Sequence, residues 1–188
     1  EGRGASAEEQ QRLVEALRDC GRDGLESKNT AVNFDHAVKF LETHERFLAN
    51  CAVAKSGPRR GRRHTPLAIV YHGTSRANFR KIMDGNLAVP DGRAVKHATD
   101  DGYFGRGIYT TTRHELAFAY AKDAIVFACL ALPGKMHKAT QKNDRGKPKR
   151  PGCDSHLGYE NDGCPQLVFF ASSQILPCYL VDRSNCAR

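Results

Sequence analysis

The chain changes texture near residue 66. Before it, apolar positions recur at helical spacing; after it, they gather in short runs bounded by glycine and proline. Ser6 and Glu9 form a capping box ahead of Leu13, Val14 and Leu17, which share one helical face. The stretch GRDGLESKNT breaks that helix. A second helix is predicted from Phe34 to Leu48, where Phe34, Val38, Leu41, Glu45 and Leu48 fall on one stripe with Glu45 as its polar break. Residues 54–66 read as a basic linker.

Strand signals dominate the remainder. LAIVY (67–71) reads as a buried strand. Ser75 can cap a short helix that points Phe79, Ile82 and Met83 inward, with Gly85 as its stop. Residues 88–103 read as a long polar loop, GIYT (107–110) as a strand and HELAFAYAK (114–122) as a helix. AIVFACLAL (124–132) is the longest apolar run and predicts a central strand. Residues 133–165 read as irregular and polar. QLVFFA (166–171) and QILPCYLV (174–181) are the closing strands, with Pro177 placing the last at an edge or a bulge. The expected fold class is α+β: an N-terminal helical region over 1–57 and a strand-rich domain over 58–188.

Composition narrows this only modestly. A chain of 188 residues suits one domain with an ordinary core. No apolar run approaches the roughly 18 residues that span a bilayer, so no membrane partner is expected. No signal-peptide pattern is visible, and a chain starting at Glu1 reads as a fragment or a processed form. Lys and Arg exceed Asp and Glu by 29 − 21 = 8, and ten of the basic residues lie in PRRGRRH (58–64) and KATQKNDRGKPKR (138–150). Solvated basic loops are the commoner explanation; attraction of phosphates or an acidic partner is the sharper one. No aromatics interleave with the charges, so a single-strand stacking platform is not indicated.

The seven cysteines include no CxxC pair. Cys129 sits in the apolar run and reads as a core residue. Cys153, His156 and Cys164 give one CxxH and no fourth ligand, so no metal is expected. A secreted chain would allow disulfides such as Cys153–Cys164 or Cys178–Cys186, but the odd count and ordinary size argue against a disulfide scaffold and lean toward an intracellular compartment.

The candidate chemistry sits where strands end. His72 follows the first strand, and Gly73 lacks a Cβ, so a ligand can approach its backbone closely. Tyr109 is presented by the strand after FGRG, and Tyr120 follows eleven residues on; two such tyrosines can sandwich a flat ring. Taken singly, each is more often structural. Their order is more specific. HGTS, YFGRGIYTT, AFAYA, an apolar strand ending in LPGK, CDSHL and QLVFFASSQILPCYLV together resemble the catalytic domain of the poly(ADP-ribose) polymerase family over 67–181.

The resemblance implies an ADP-ribosyltransferase-like split, mostly antiparallel sheet that clamps NAD and transfers ADP-ribose to an acceptor, releasing nicotinamide. On it, His72 would bond the adenine-side ribose and Gly73 the nicotinamide carboxamide, with Thr74 beside them. Tyr109 and Tyr120 would stack on the nicotinamide. Residues 88–103 would form the donor-side lid, and 133–165 would include the acceptor loop. This is not the Rossmann mode, and no GxGxxG is present. Extra helices in the family often cover the donor side; here the apolar residues of the second helix need burial against the sheet.

Two positions depart from the family pattern. Ala117 stands where a serine usually assists the carboxamide, a loss of on the order of 0.5–1.5 kcal/mol, or about tenfold in affinity. Gln166 stands where polymerising members carry a glutamate, so the catalytic set reads His72, Tyr109, Gln166. Glutamine keeps a hydrogen bond but has no charge and takes no proton. Losing that electrostatic contribution costs about 10²- to 10³-fold in rate. The expected activity is therefore single transfer by a monomer onto a protein or phosphate-rich nucleic acid. The alternatives are an inactive module binding NAD, ADP-ribose or nucleic acid, and a polymerase in which Glu160 or Asp162 reaches the site.

Overall fold

The computed structural model describes residues 34–55, 67–93, 95, 101–121, 125–160 and 163–182, with side chains over 35–47 in the first of these segments. The capping-box helix of Ser6, most of the basic linker, the 57/58 boundary, Asp162 and Cys186 lie outside the described residues.

Helix α1 (Phe34–Lys55) precedes strand β1 (Ala68–Thr74). A 3-10 turn (Arg76–Asn78) leads into α2 (Phe79–Gly85), followed by β2 (Ile108–Thr111), α3 (His114–Tyr120) and β3 (Ile125–Ala131). Then come β4 (Met136–Lys138), α4 (Gln141–Asp144), β5 (Ser155–Tyr159), β6 (Pro165–Phe169), a 3-10 turn (Ser172–Gln174) and β7 (Ile175–Asp182). The result is a mixed α and β chain built on one open sheet.

The seven strands lie in the order β4-β5-β6-β2-β1-β3-β7. Every neighbouring pair is antiparallel except β4 with β5. The ladder is uneven. β1 pairs with β3 along its whole length, from Ala68↔Ala131 to Thr74↔Ile125, and β2 pairs with β6 from Ile108↔Phe169 to Thr111↔Gln166. Between them, β1 and β2 meet in register only at Tyr71↔Thr111. Residues 72–74 and 108–110 do not continue the pairing, so a seam divides the sheet into β4-β5-β6-β2 and β1-β3-β7.

Side-chain alternation explains the core. On one face Val70, Ile108, Phe127, Cys129, Ala131, Leu167, Phe169 and Ile175 bury Ile82 and Leu87, with Phe79 and Met83 packed alongside. On the other face, the even-numbered residues of β3 serve two helices. Val126 and Ala128 pack with Ala117 and Phe118 of α3, while Leu130 and Leu132 pack with Phe40 and Phe47 of α1. All seven residues of β3 are therefore buried, which requires the continuous apolar run seen in the sequence.

Several expectations change. The apolar run forms a strand, but β3 is next to the last in order rather than central; a helix on each face buries it instead of more strands. α1 runs past Leu48 to Lys55, and its buried face is His36, Phe40, Thr43, His44 and Phe47. Val38 is exposed, because Phe40 and Phe47 enter the gap above β3 and β7 and set the helix rotation. α1 lies over β3, β7 and the Ser172–Gln174 turn.

Residues 133–165 are not irregular: they contain β4, α4 and β5. Pro177 does sit on an edge strand, at a register shift opposite Ala128 and Cys129. Cys129 is fully buried. Cys153 and Cys164 are thiols rather than a disulfide, and Cys178 is a buried thiol whose Sγ donates to the Leu176 carbonyl at 3.2 Å. Among the described residues no helix is long and apolar enough to cross a membrane.

Candidate functional site

The seam between β1 and β2 gathers most of the residues singled out in the sequence. β1 runs on through His72 and Gly73 to Thr74, so the histidine lies within the strand and not after it. The imidazole Nδ1 stands 2.8 Å from the Tyr109 carbonyl, across the unpaired part of the seam. A carbonyl only accepts, so Nδ1 carries the hydrogen and Nε2 keeps its lone pair. Burial pushes the His72 pKa below its ordinary value, and the bond to Tyr109 opposes this only partly. The ring is neutral at neutral pH, with Nε2 as an acceptor.

Gly73 faces the other way, toward α3. A Cβ there would stand 1.9 Å from the Ala117 carbonyl oxygen and 3.2 Å from the Ala121 nitrogen. The packing of α3 therefore requires glycine here, whatever approaches its backbone. Ala117 is itself buried, tucked between Gly73, Tyr71 and Val126. The Thr74 hydroxyl accepts from Asn78 Nδ2 at 3.2 Å, and Ser75 Oγ accepts from the Ala77 amide at 3.3 Å, so both residues fix the turn into α2.

Tyr109 organises the loop before it. Its hydroxyl accepts from the Phe104 amide at 2.7 Å and donates to the Gly105 carbonyl at 3.1 Å. The loop closes this tightly because Gly105 adopts φ +121°, where a Cβ would meet His156 Nδ1 at 2.9 Å. Tyr109 packs against the buried cluster of Phe104, Ala139 and Val168, as does Phe170. Beside Phe170 opens a cleft of about 440 Å³ lined by Val89, Arg106, Pro148 and Lys149. Sequence reasoning missed this cleft, because its two cations come from loops forty residues apart in the chain.

Gln166 opens the core-facing part of β6, opposite Thr111 on one side and Gly158 on the other. Tyr109 is two residues before Thr111, so alternation puts Tyr109 and Gln166 on one face of the sheet, with α3 above it. Gln166 is buried, and its Nε2 donates to the Tyr120 hydroxyl at 3.3 Å and to Glu160 Oε1. The Tyr120 hydroxyl donates to the same Glu160 oxygen at 2.6 Å. The second tyrosine, the glutamine and a carboxylate thus form one closed set. Gln166 Oε1 has no hydrogen bond among the described residues.

Glu160 is held by the turn between β5 and β6. Its amide donates to the Cys164 carbonyl at 3.1 Å, and its carbonyl accepts from Gly163 at 2.9 Å. Gly163, at φ +78°, lets the chain reverse there. The sequence marked Glu160 only as an alternative, since a position six residues before Gln166 carries no pattern that fixes its distance.

The CxxH histidine has a structural role. His156 is fully buried; its Nδ1 donates to the Phe104 carbonyl at 2.7 Å and its Nε2 accepts from the Arg150 amide at 2.9 Å. Burial chiefly lowers its pKa. Among the described residues no group of three His, Cys, Asp or Glu is placed to hold a metal ion.

The α3 face of the sheet therefore carries Gln166 Oε1 as an acceptor, Gly73 and the two tyrosines, while His72, one residue before Gly73, presents Nε2 on the opposite face beside the gap between β1 and β2. Such a set suits a ligand rich in hydroxyls that also carries a flat ring. No protein-family profile matches the chain, and no curated protein matches it.

Proposed function

We propose that the chain is an NAD-dependent mono-ADP-ribosyltransferase with an ADP-ribosyltransferase-like fold. The observation that carries this reading is that Tyr109, Tyr120 and Gln166, from three elements far apart in sequence, share one sheet face, with Tyr120 and Gln166 in hydrogen-bond contact. The split in the ladder supports it, as does the ordered likeness of residues 67–181 to the poly(ADP-ribose) polymerase family.

On this reading His72 Nε2 accepts a hydroxyl of the adenine-side ribose. The Gly73 backbone takes the nicotinamide carboxamide, and Tyr109 and Tyr120 flank the ring. Gln166 Oε1 accepts a hydroxyl of the nicotinamide-side ribose. Arg106 and Lys149, in the cleft next to Phe170, add positive charge suited to a diphosphate. Ala117 contributes no hydroxyl to the carboxamide.

The bond from ribose C1 to the nicotinamide nitrogen breaks, and nicotinamide leaves with the electron pair. The acceptor's nucleophile forms the new bond to C1 and loses its proton to solvent or to its own basic group. Gln166 takes no proton, so the acceptor must supply an ionised or readily ionised nucleophile, such as a carboxylate or a terminal phosphate. Growth of a chain through ribose hydroxyls, which need a base, is not expected.

The acceptor is a protein or a phosphate-rich nucleic acid, drawn by the net charge of +8. Raising salt from low to physiological should therefore reduce modification. Intact-mass measurement of mixed acceptors incubated with the chain and NAD tests the reading. One ADP-ribose per modified site, lost in Tyr109→Ala and Gln166→Ala, is expected; long polymers would contradict it. The competing reading is a module that binds NAD or ADP-ribose without turnover, and it draws on the same missing carboxylate at Gln166.

A further inference from the structure

We propose that Glu160 is a positioning residue for the transfer reaction: through the amide of Gln166 it supplies the negative charge that Gln166 lacks. This inference rests on the reading of the preceding section. It begins from donors and acceptors. A carboxylate only accepts, and the Glu160 carboxylate receives both the Tyr120 hydroxyl and the Gln166 amide group. The remaining contact, Gln166 Nε2 to the Tyr120 hydroxyl, fits the same polarity, because the tyrosine oxygen accepts one hydrogen and donates its own.

Two consequences follow for Gln166. Its orientation is fixed: with Nε2 committed to Glu160 and Tyr120, the carbonyl Oε1 is the atom left to face a ligand. Its electronics are also altered. An anion against the amide N–H group draws the amide dipole toward a more negative Oε1, and in a partly water-excluded site such polarisation is stronger than in water. The amide then presents an oxygen closer in character to that of a carboxylate, while the full charge sits one residue further out. A developing positive charge on the ribose is stabilised by both.

The same carboxylate couples two parts of the site. Tyr120 lies on α3 and Gln166 on β6, and Glu160 bonds both. The aromatic ring proposed to hold the leaving group and the amide proposed to hold the ribose are thus set by one side chain. That side chain is itself anchored by the Glu160–Cys164 turn through two backbone hydrogen bonds. A proton is not relayed in this scheme. Glu160 acts as a fixed charge, and the acceptor still provides its own nucleophile, so the product remains a single ADP-ribose.

The test is steady-state release of nicotinamide from NAD by the full chain and three variants: Glu160→Gln, Gln166→Glu, and the two combined. Glu160→Gln keeps size and removes charge. It is expected to lower kcat by about tenfold or more while KM for NAD moves by less than about threefold. The combined variant, which moves the carboxylate directly onto the ribose-facing position, is expected to recover most of that loss.

A Glu160→Gln kcat equal to wild type would overturn the proposal. So would a loss of kcat accompanied by an equal loss of thermal stability and no recovery in the combined variant, since that pattern describes a merely structural contact. If the wild-type chain itself releases no nicotinamide above buffer, the transferase reading falls and this inference with it. That outcome is told apart by the wild-type control alone.

Discussion

A Cβ on Gly73 would stand 1.9 Å from the carbonyl oxygen of Ala117, so the helix carrying the second tyrosine rests directly on the strand carrying the histidine. Gly73→Ala must push α3 off β1. It is expected to destabilise the chain by about 1–3 kcal/mol, read as a lower urea midpoint with an unchanged slope. NAD binding should weaken with it, because Tyr120 moves. Substituting Gly73 therefore does not isolate a backbone contact to ligand.

Tyr109 has a hydroxyl that closes a loop as well as a ring that packs against Phe104, Ala139 and Val168. Tyr109→Phe removes the acceptor of the Phe104 amide and the donor to the Gly105 carbonyl. Phe104 is buried, so its amide is left without a partner, at a cost of about 1–3 kcal/mol. Hydrogen exchange at that amide should accelerate accordingly. The ring remains, so Tyr109→Phe should retain more NAD affinity than Tyr109→Ala.

Gln174 ties the sheet together from a position that no catalytic argument names. It is buried, its Nε2 donates to the Leu132 carbonyl at 3.1 Å and the Asp154 carbonyl at 3.2 Å, and its Oε1 accepts from the Phe170 amide at 3.3 Å. Gln174→Ala removes the partner of one buried backbone group, the Leu132 carbonyl, and of two half-buried ones, the Asp154 carbonyl and the Phe170 amide. A loss of about 2–4 kcal/mol in unfolding free energy is expected, measurable by denaturant titration.

His72 and His156 make stability depend on pH. Both have pKa values lowered from 6.5 by burial. The unfolded state then binds protons that the folded state refuses, so stability rises with pH across the window below 6.5 and levels off above it. Urea midpoints should fall between about pH 7 and pH 5. His156→Gln should be less stable at neutral pH and show a shallower fall. A midpoint that rises on acidification would contradict the assignment of both rings as neutral.

The parts of the fold legible in sequence are those that apolar burial alone decides. β3 is buried on both faces and must be apolar throughout, so AIVFACLAL declared it. Ser75 marked the turn into α2 through its hydroxyl and Pro177 the edge through its missing N–H, whereas the residue that leaves α2 in the left-handed region is Asn86 (φ +65°), not Gly85. β5 was hidden because SHLGY is polar; Ser155 bonds the Pro133 carbonyl and His156 uses both ring nitrogens on backbone groups. α4 was hidden likewise, since its buried Asp144 is satisfied by the Thr140 amide at 2.8 Å and faces His137 Nε2 at 3.2 Å. Such internal pairing makes polar residues buried without leaving any periodic trace.

The site divides along the same line. His72, Tyr109, Tyr120 and Gln166 stood out by their types and order; the strand order puts Tyr109, Tyr120 and Gln166 on one sheet face and His72 on the other. What spacing did not reveal is which atoms face which. The demand of α3 on Gly73, the loop closure by the Tyr109 hydroxyl and the grip of Glu160 on Gln166 all depend on contacts between elements distant in the chain.

The most direct test of the central claim is the amount of free nicotinamide produced when the full chain is incubated with NAD, against buffer and against Gln166→Ala. A transferase seated at the β1/β2 seam predicts release above background that Gln166→Ala strongly reduces. NAD that binds yet yields no nicotinamide would contradict it, and would leave the seam as a site for recognition and not for transfer.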